Sequence, residues 1–269
     1  MLYKVNGPYK RGRTRRDYTA FAADHNSQAQ PAFRFPHSSV WNGDGHYVTT
    51  GGMARSKEKM LNAVTTAGVI AVIRAPSAEL LLPIAQALLA GGVCAIEVTM
   101  STPDAIRGIA MLVDKLGDQA IIGVGTVVDP ATCKAAIGAG AEFVLSPSFD
   151  ERVVATTLEH GKISVPGAFT PTEILRAWNT GADIVKVFPS TALGPGYFRD
   201  LLAPLPQLKL TPTGGVDAKN AGEWIKAGAV CVGAGSSLVS KDAMAKHDWN
   251  SITTNATAFV AAIRAARQA

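Results

Sequence analysis

Lys186 is the residue best placed by the sequence to do chemistry, because it stands alone in an apolar run, Asp183-Ile184-Val185-Lys186-Val187-Phe188-Pro189. The run is short enough to be a buried strand, and a Phe-Pro stop follows at once. An ammonium is costly to bury unless it is paired or neutralised. A lysine that must shed its proton to attack a carbonyl gains from such a place, since desolvation lowers its pKa. The alternative is an edge strand whose Lys186 snorkels to solvent. A second charge sits in a comparable run, Ala95-Ile96-Glu97-Val98-Thr99. Glu97 reads either as a carboxylate that shuttles protons beside an amine nucleophile or as half of a structural ion pair with Lys186.

These residues must be positioned by a repeating unit that begins near residue 55. Apolar, β-rich runs occur at 69–73, 95–99, 120–124, 142–145, 163–165, 184–188, 208–211 and 230–232. Helical patterns lie between them at 78–90, 103–116, 130–139, 151–160, 171–180, 197–203 and 218–227. Six of the helices end at Gly91, Gly117, Gly140, Gly161, Gly181 and Gly228, the usual stop. Three open at Thr102-Pro103, Asp129-Pro130 and Thr170-Pro171, the usual start. The strands are apolar nearly throughout, which means a parallel sheet covered on both faces. Eight such units fit an α/β fold of the (β/α)8 TIM-barrel type. The alternative is a doubly wound open sheet, although no Gly-x-Gly-x-x-Gly follows the first strand. Residues 251–267 read as a closing helix that packs Ile252, Phe259, Val260 and Ile263.

In a barrel, chemistry collects at the C-terminal ends of the strands. The first strand ends at Arg74, and the third runs Gly123-Val124-Gly125-Thr126, giving a hydroxyl and close backbone approach to a small ligand. The sixth carries Lys186 and Phe188. The seventh leads into Thr213-Gly214-Gly215 and the eighth into Gly235-Ser236. Two Gly-rich turns opening onto helix N-termini here are suited to phosphate, unless the glycines only permit tight turns.

Composition narrows the rest. The 269-residue chain is 47% hydrophobic and 17% charged, with a net charge of +5. Residues 1–52 hold seven Lys/Arg and three Asp/Glu of the chain's 26 and 21, leaving 19 and 18 for the remainder. The body is therefore nearly neutral, which argues against nucleic acid as a partner. No run of about 18 apolar residues suggests a membrane partner. Cys94, Cys133 and Cys231 have no metal-like spacing, and no histidine pair does, so neither a metal nor another cofactor is expected. Reduced thiols point to the cytoplasm. Residues 1–52 contain Lys10-Arg11-Gly12-Arg13-Thr14-Arg15-Arg16 and no periodicity, and read as a disordered extension or as sequence ahead of a true start at Met53. The barrel is then residues 53–269.

A lysine nucleophile, a nearby carboxylate and a phosphate cradle define a Schiff-base aldolase. The chain resembles the 2-keto-3-deoxy-6-phosphogluconate (KDPG) and 4-hydroxy-2-oxoglutarate (KHG) aldolases over about residues 55–266. The resemblance rests on Ile96-Glu97-Val98-Thr99, Gly123-Val124-Gly125-Thr126-Val127, Pro166-Gly167-Ala168-Phe169-Thr170-Pro171, Lys186-Val187-Phe188-Pro189, Pro212-Thr213-Gly214-Gly215-Val216 and Gly235-Ser236. It implies that Lys186 is the Schiff-base lysine and Glu97 the general acid/base. It also implies that Thr126 contacts the pyruvyl part, that Gly214, Gly215 and Ser236 hold the phosphate, that Arg74 helps bind substrate, and that the enzyme is a homotrimer. Thr213 matches a position governing stereoselectivity and favours the gluconate-type substrate. Residues 189–195 instead resemble the 2-keto-3-deoxy-6-phosphogalactonate aldolases. Many members carry Arg where this chain has Ser101, so carboxylate recognition falls to Thr126, backbone N–H groups or Arg74. The rival readings are a phosphosugar isomerase or epimerase and a non-catalytic phosphate-binding barrel.

Overall fold

The computed structural model describes residues 39–41, 47–49 and 56–268. Within the extension expected to be disordered, Ser39–Trp41 pairs antiparallel with Tyr47–Thr49. The rest of that expectation lies outside the described residues.

Eight parallel strand positions follow: β1 (Val69–Ile73), β2 (Ala95–Thr99), β3 (Ile121–Gly125) and β4 (Phe143–Leu145), then β5 (Ile163–Val165, resumed after Pro166 by Gly167–Ala168), β6 (Val185–Val187), β7 (Leu210–Pro212) and β8 (Val232–Ala234). A six-stranded sheet runs in the order β8-β1-β2-β3-β4-β5, and a three-stranded sheet joins the second part of β5 to β6 and β7. Parallel bridges Leu210–Ala229 and Thr213–Gly233 link β7 to β8. The strands thus follow one another in chain order without the reversal that a doubly wound sheet requires.

The helices are α1 (Lys57–Ala67), α2 (Leu81–Ala90), α3 (Ala105–Leu116), α4 (Pro130–Gly138) and α5 (Glu151–Glu159). They continue with α6 (Pro171–Asn179), α7 (Gly194–Leu202), α8 (Ala221–Lys226), α9 (Lys241–Lys246) and α10 (Trp249–Gln268). Local chemistry explains their starts. Asp129 accepts from Thr132 N ahead of Pro130, and Thr170 forms a full capping box with Glu173.

Some boundaries differ from the sequence reading. β7 and β8 end later, because the ladder runs on through Pro212 and Gly233. The helix expected from 103 starts at Ala105, since Asp104 adopts a left-handed φ of 53°. The helix expected from 218 starts at Ala221, because Asp217 Oδ1 accepts from Lys219 N and Asn220 N in a turn. Gly140, Gly161, Gly181 and Gly228 take left-handed φ values as expected of stops. Gly91 and Gly117 do not: φ is −87° and −55°. At Gly91 the requirement is space, since a β-carbon there would run into Ala256 of α10.

The strands separate two apolar layers. Inside lie Ile70, Ala95, Ile121, Phe143, Ile163, Ile184 and Cys231, and Met60 and Val64 of α1 join them. The first helix thereby plugs the end of the ring where the strands begin. It is fastened at both ends. Lys57 pairs with Asp183 at 2.8 Å, and Arg267 of α10 donates to the carbonyls of Thr65 (2.6 Å), Thr66 (2.5 Å) and Val230 (3.1 Å). On the outer face, Ile252, Ala256, Phe259 and Ile263 of α10 are fully buried, whereas Val260 is only half-buried.

Candidate active site

Side chains alternate along a strand, so the inward placement of Ile184 and Ala95 puts Lys186 and Glu97 in the interior as well. Lys186 is 4% exposed and Glu97 1%. Burial pushes the lysine's pKa below its ordinary value; Glu97 opposes that shift and Arg74 adds to it. Burial pushes the Glu97 carboxyl above its ordinary range, against the pull of Lys186 and Arg74. Neither residue belongs to an ion pair within 4.0 Å among the described residues, so they interact across a gap rather than in contact. Burial of Lys186 argues against the snorkelling alternative, and the structural ion pair with Glu97 is not closed at contact distance.

Lys186 Nζ stands 4.9 Å from the centre of the Phe188 ring. Phe188 in turn lines a cleft of ≈ 250 Å³ at the C-terminal ends of the strands, together with Arg74, Thr213, Gly214, Gly215, Gly235 and Ser236. Seven residues singled out in the sequence therefore share one cavity, with Lys186 behind its Phe188 wall. Thr126 is not part of that lining. It sits exposed at the end of β3 with φ 63°, a left-handed conformation that costs a β-branched residue about 1–3 kcal/mol.

The two turns match the sequence expectation only in part. Gly214 and Gly215 are consecutive left-handed residues (φ 96° and 72°), which glycine alone adopts without strain. They pack over Thr191, whose Oγ1 is 3.2 Å from a β-carbon placed on Gly214. Helices do not start directly from these turns. α8 and α9 are separated from them by turn residues and have six residues each. The expected opening of these turns directly onto helix N-termini is therefore not met. Arg74 Nη1 lies 3.2 Å from a β-carbon placed on Gly235, so its guanidinium reaches the eighth-strand turn.

Several residues of the site escaped the sequence reading. Asp217 and Ser237 also line the cleft, and Ser237 Oγ donates to Val216 O at 2.6 Å, tying the two turns together. Ser190, 1% exposed, donates to Val187 O (2.7 Å) and accepts from Thr213 N (3.2 Å), locking the ends of β6 and β7. Thr211 and Thr213 are buried, and their hydroxyls, like Glu97 Oε2, have no hydrogen-bond partner. Thr211 lies beside the Cys231 thiol, outside hydrogen-bonding geometry. The adjacent Pro-Ser-Thr after Lys186 was a usable signal for Ser190. Thr211 had none beyond its strand. Among the described residues no group of three or more His, Cys, Asp or Glu could hold a metal ion. No helix among them is long and apolar enough to cross a membrane.

The family model for KDPG and KHG aldolase matches residues 60–255. The chain belongs to that family. Within it, the 2-dehydro-3-deoxy-phosphogluconate aldolase of Treponema pallidum is 35% identical over 195 residues, 72% of this chain and 92% of that protein. The 2-dehydro-3-deoxy-6-phosphogalactonate aldolase of Escherichia coli is 33% identical over 201 residues, 74% of this chain and 96% of that one. The crystal structure of the KDPG aldolase from Legionella pneumophila, with pyruvate captured as a covalent carbinolamine intermediate, is 33% identical with a TM-score of 0.68, covering 74% and 97%. The KDPG and KHG aldolase fold is thus the setting for the buried lysine. A carbinolamine is the adduct that an amine forms with a ketone, the chemistry for which a neutral lysine is required.

Proposed function

We propose that this chain is a class I aldolase, a carbon–carbon lyase that cleaves KDPG to pyruvate and glyceraldehyde 3-phosphate through a Schiff base on Lys186. The observation that carries this reading is the buried Lys186, its pKa lowered, directly behind the cleft wall. Neutral Lys186 attacks the C2 carbonyl and loses water to give an iminium, which withdraws electrons from the neighbouring bonds. Glu97 accepts the C4 hydroxyl proton through a water, the C3–C4 bond breaks, and the aldehyde leaves. The enamine is reprotonated at C3 and hydrolysed to pyruvate, freeing the lysine. The same chemistry cleaves KHG to pyruvate and glyoxylate. The enzyme works in the cytoplasm as a homotrimer and uses no metal. Borohydride reduction with pyruvate tests the reading: one adduct on Lys186 is expected. Absence of an adduct would favour an isomerase, an epimerase or a non-catalytic barrel.

Arg74, Gly214, Gly215, Gly235 and Ser236 hold the phosphate, Thr213 faces the chain carbons, and Thr126 meets the pyruvyl end. Phosphate binding far from the breaking bond orients the reacting end, so its loss should lower kcat as well as raise KM. Ser236→Asp places a carboxylate against the dianion and should damage KDPG cleavage selectively. Equal kcat/KM for KDPG and KHG, with no selective effect of Ser236→Asp, would remove the phosphate assignment while leaving the aldolase. The galactonate epimer is the second reading, supported by residues 189–195 and by the Escherichia coli relative. Comparing kcat/KM for the two epimers decides between them.

The barrel is proposed to begin at residue 53. A chain starting at Met53 retains α1 and its fastenings, so its activity and Tm should match those of the full chain. A large drop in either would assign residues 1–52 a part in the fold.

A further inference from the structure

We propose that Gly125 is a positioning residue for catalysis, its missing side chain forming the seat in which the Glu97 carboxylate is held. In the β2–β3 register, Glu97 stands opposite Gly123 and Thr99 opposite Gly125. The Glu97 side chain leans along its strand, so the carboxylate comes to rest at the level of Gly125. A β-carbon on Gly125 would overlap Glu97 Oε1 and would lie 2.7 Å from its Cγ. The obstruction reaches the stem of the side chain, so a small swing of the carboxylate cannot relieve it.

Glycine is not needed here for its backbone. Gly125 is absent from the left-handed positions of the chain, and it continues the β3 ladder while accepting from Met100 N at 2.9 Å. Space is what the position supplies. Gly123 makes a similar space two residues earlier, but there the ring of Phe143 fills it. Of these two gaps on β3, the one nearer the cleft holds a carboxylate and the deeper one an aromatic ring. With Oε1 set against the Gly125 backbone, Oε2 is left without a hydrogen-bond partner. A fixed wall on one side of a three-rotor side chain confines the oxygen that must meet the proton, and a misplacement of about 1 Å can cost about 10²-fold in rate.

The inference rests on the aldolase reading, and the experiment separates the two. Pyruvate trapping by borohydride and KDPG turnover are measured for the wild type, Gly125→Ala, Glu97→Ala and the double variant. Gly125→Ala should trap one pyruvate per chain, as the wild type does, yet lose about 10²-fold in kcat. On the Glu97→Ala background, where nothing occupies the seat, the same change should cost less than about twofold, the non-additivity of residues acting through one another. Wild-type turnover in Gly125→Ala, loss of trapping in the folded variant, or a full second loss in the double variant would each overturn the proposal. If Gly125→Ala does not fold, recovery of folding in the double variant supports the seat, and continued misfolding overturns it. No adduct in the wild type would strike the aldolase reading itself, and the seat with it.

Discussion

Lys186→Ala should form no borohydride-stable adduct with pyruvate and should lose roughly 10⁵-fold or more in turnover, the scale on which a well-oriented nucleophile outperforms one from solution. Burial is the reason. The side chain is 4% exposed, and desolvation lowers its pKa, so the neutral amine exists at a pH where an exposed lysine is almost wholly ammonium. Adduct formation should therefore slow as pH falls through the lowered pKa, because protonation removes the lone pair. Lys186→Arg should be as inactive as Lys186→Ala, since a guanidinium stays protonated whatever its surroundings. Robust cleavage by Lys186→Ala would end the Schiff-base assignment. The Lys186→Ala protein should fold, because a buried amine is exchanged for an apolar group and Phe188 stays in place.

Glu97→Gln keeps the shape of the side chain and should lose about 10²–10⁴ in kcat, the usual contribution of a general acid–base group. Its effect on stability has a definite sign. Burial raises the folded-state pKa of Glu97, so at neutral pH folding works against a carboxylate that the unfolded chain solvates freely. Removing the ionisable group should leave Tm unchanged or raise it at pH 7, and the difference should shrink as pH falls through the raised pKa and be gone below the ordinary glutamate range. A structural ion pair predicts the reverse, a destabilised protein with near-normal turnover per folded molecule. The absence of a contact between Glu97 and Lys186 within 4.0 Å already points to the first outcome.

The two charged residues were legible because each interrupts a run of β-branched and aliphatic residues, where a charge has no cheap explanation. The strands through β6 were legible for the same reason. The last two strands read as ending early because Pro212 and Gly233 look like stops, whereas parallel pairing carries on through both. What the sequence could not show is which glycine serves a neighbour. Gly91 reads as a helix stop and Gly123 and Gly125 as room for a small ligand, yet each is required by a side chain far away in the chain or on the next strand. Ser190 and Arg267 are hidden for a similar reason: Ser190 Oγ accepts from Thr213 N on the next strand, and Arg267 donates to the carbonyls of Thr65, Thr66 and Val230, partners that only the closed fold brings near. Such roles are non-local and leave no periodic trace.

The fastening of α1 has a consequence for what can be joined to this enzyme. Ser56 stands beside the start of β6 and Arg267 beside the start of β8, so both ends of the described barrel lie on the face away from the cleft. Eleven residues of α1 span the gap between them, about 16 Å at the helical rise. A tag, a surface anchor or a second protein attached ahead of Ser56 or after Gln268 therefore starts out behind the barrel and leaves the substrate's path open. A linker of a few residues could also join the old ends and let new ones be cut in a loop on the far side. The protein is in that sense already arranged for display, with its cleft outward and its attachment points beneath it.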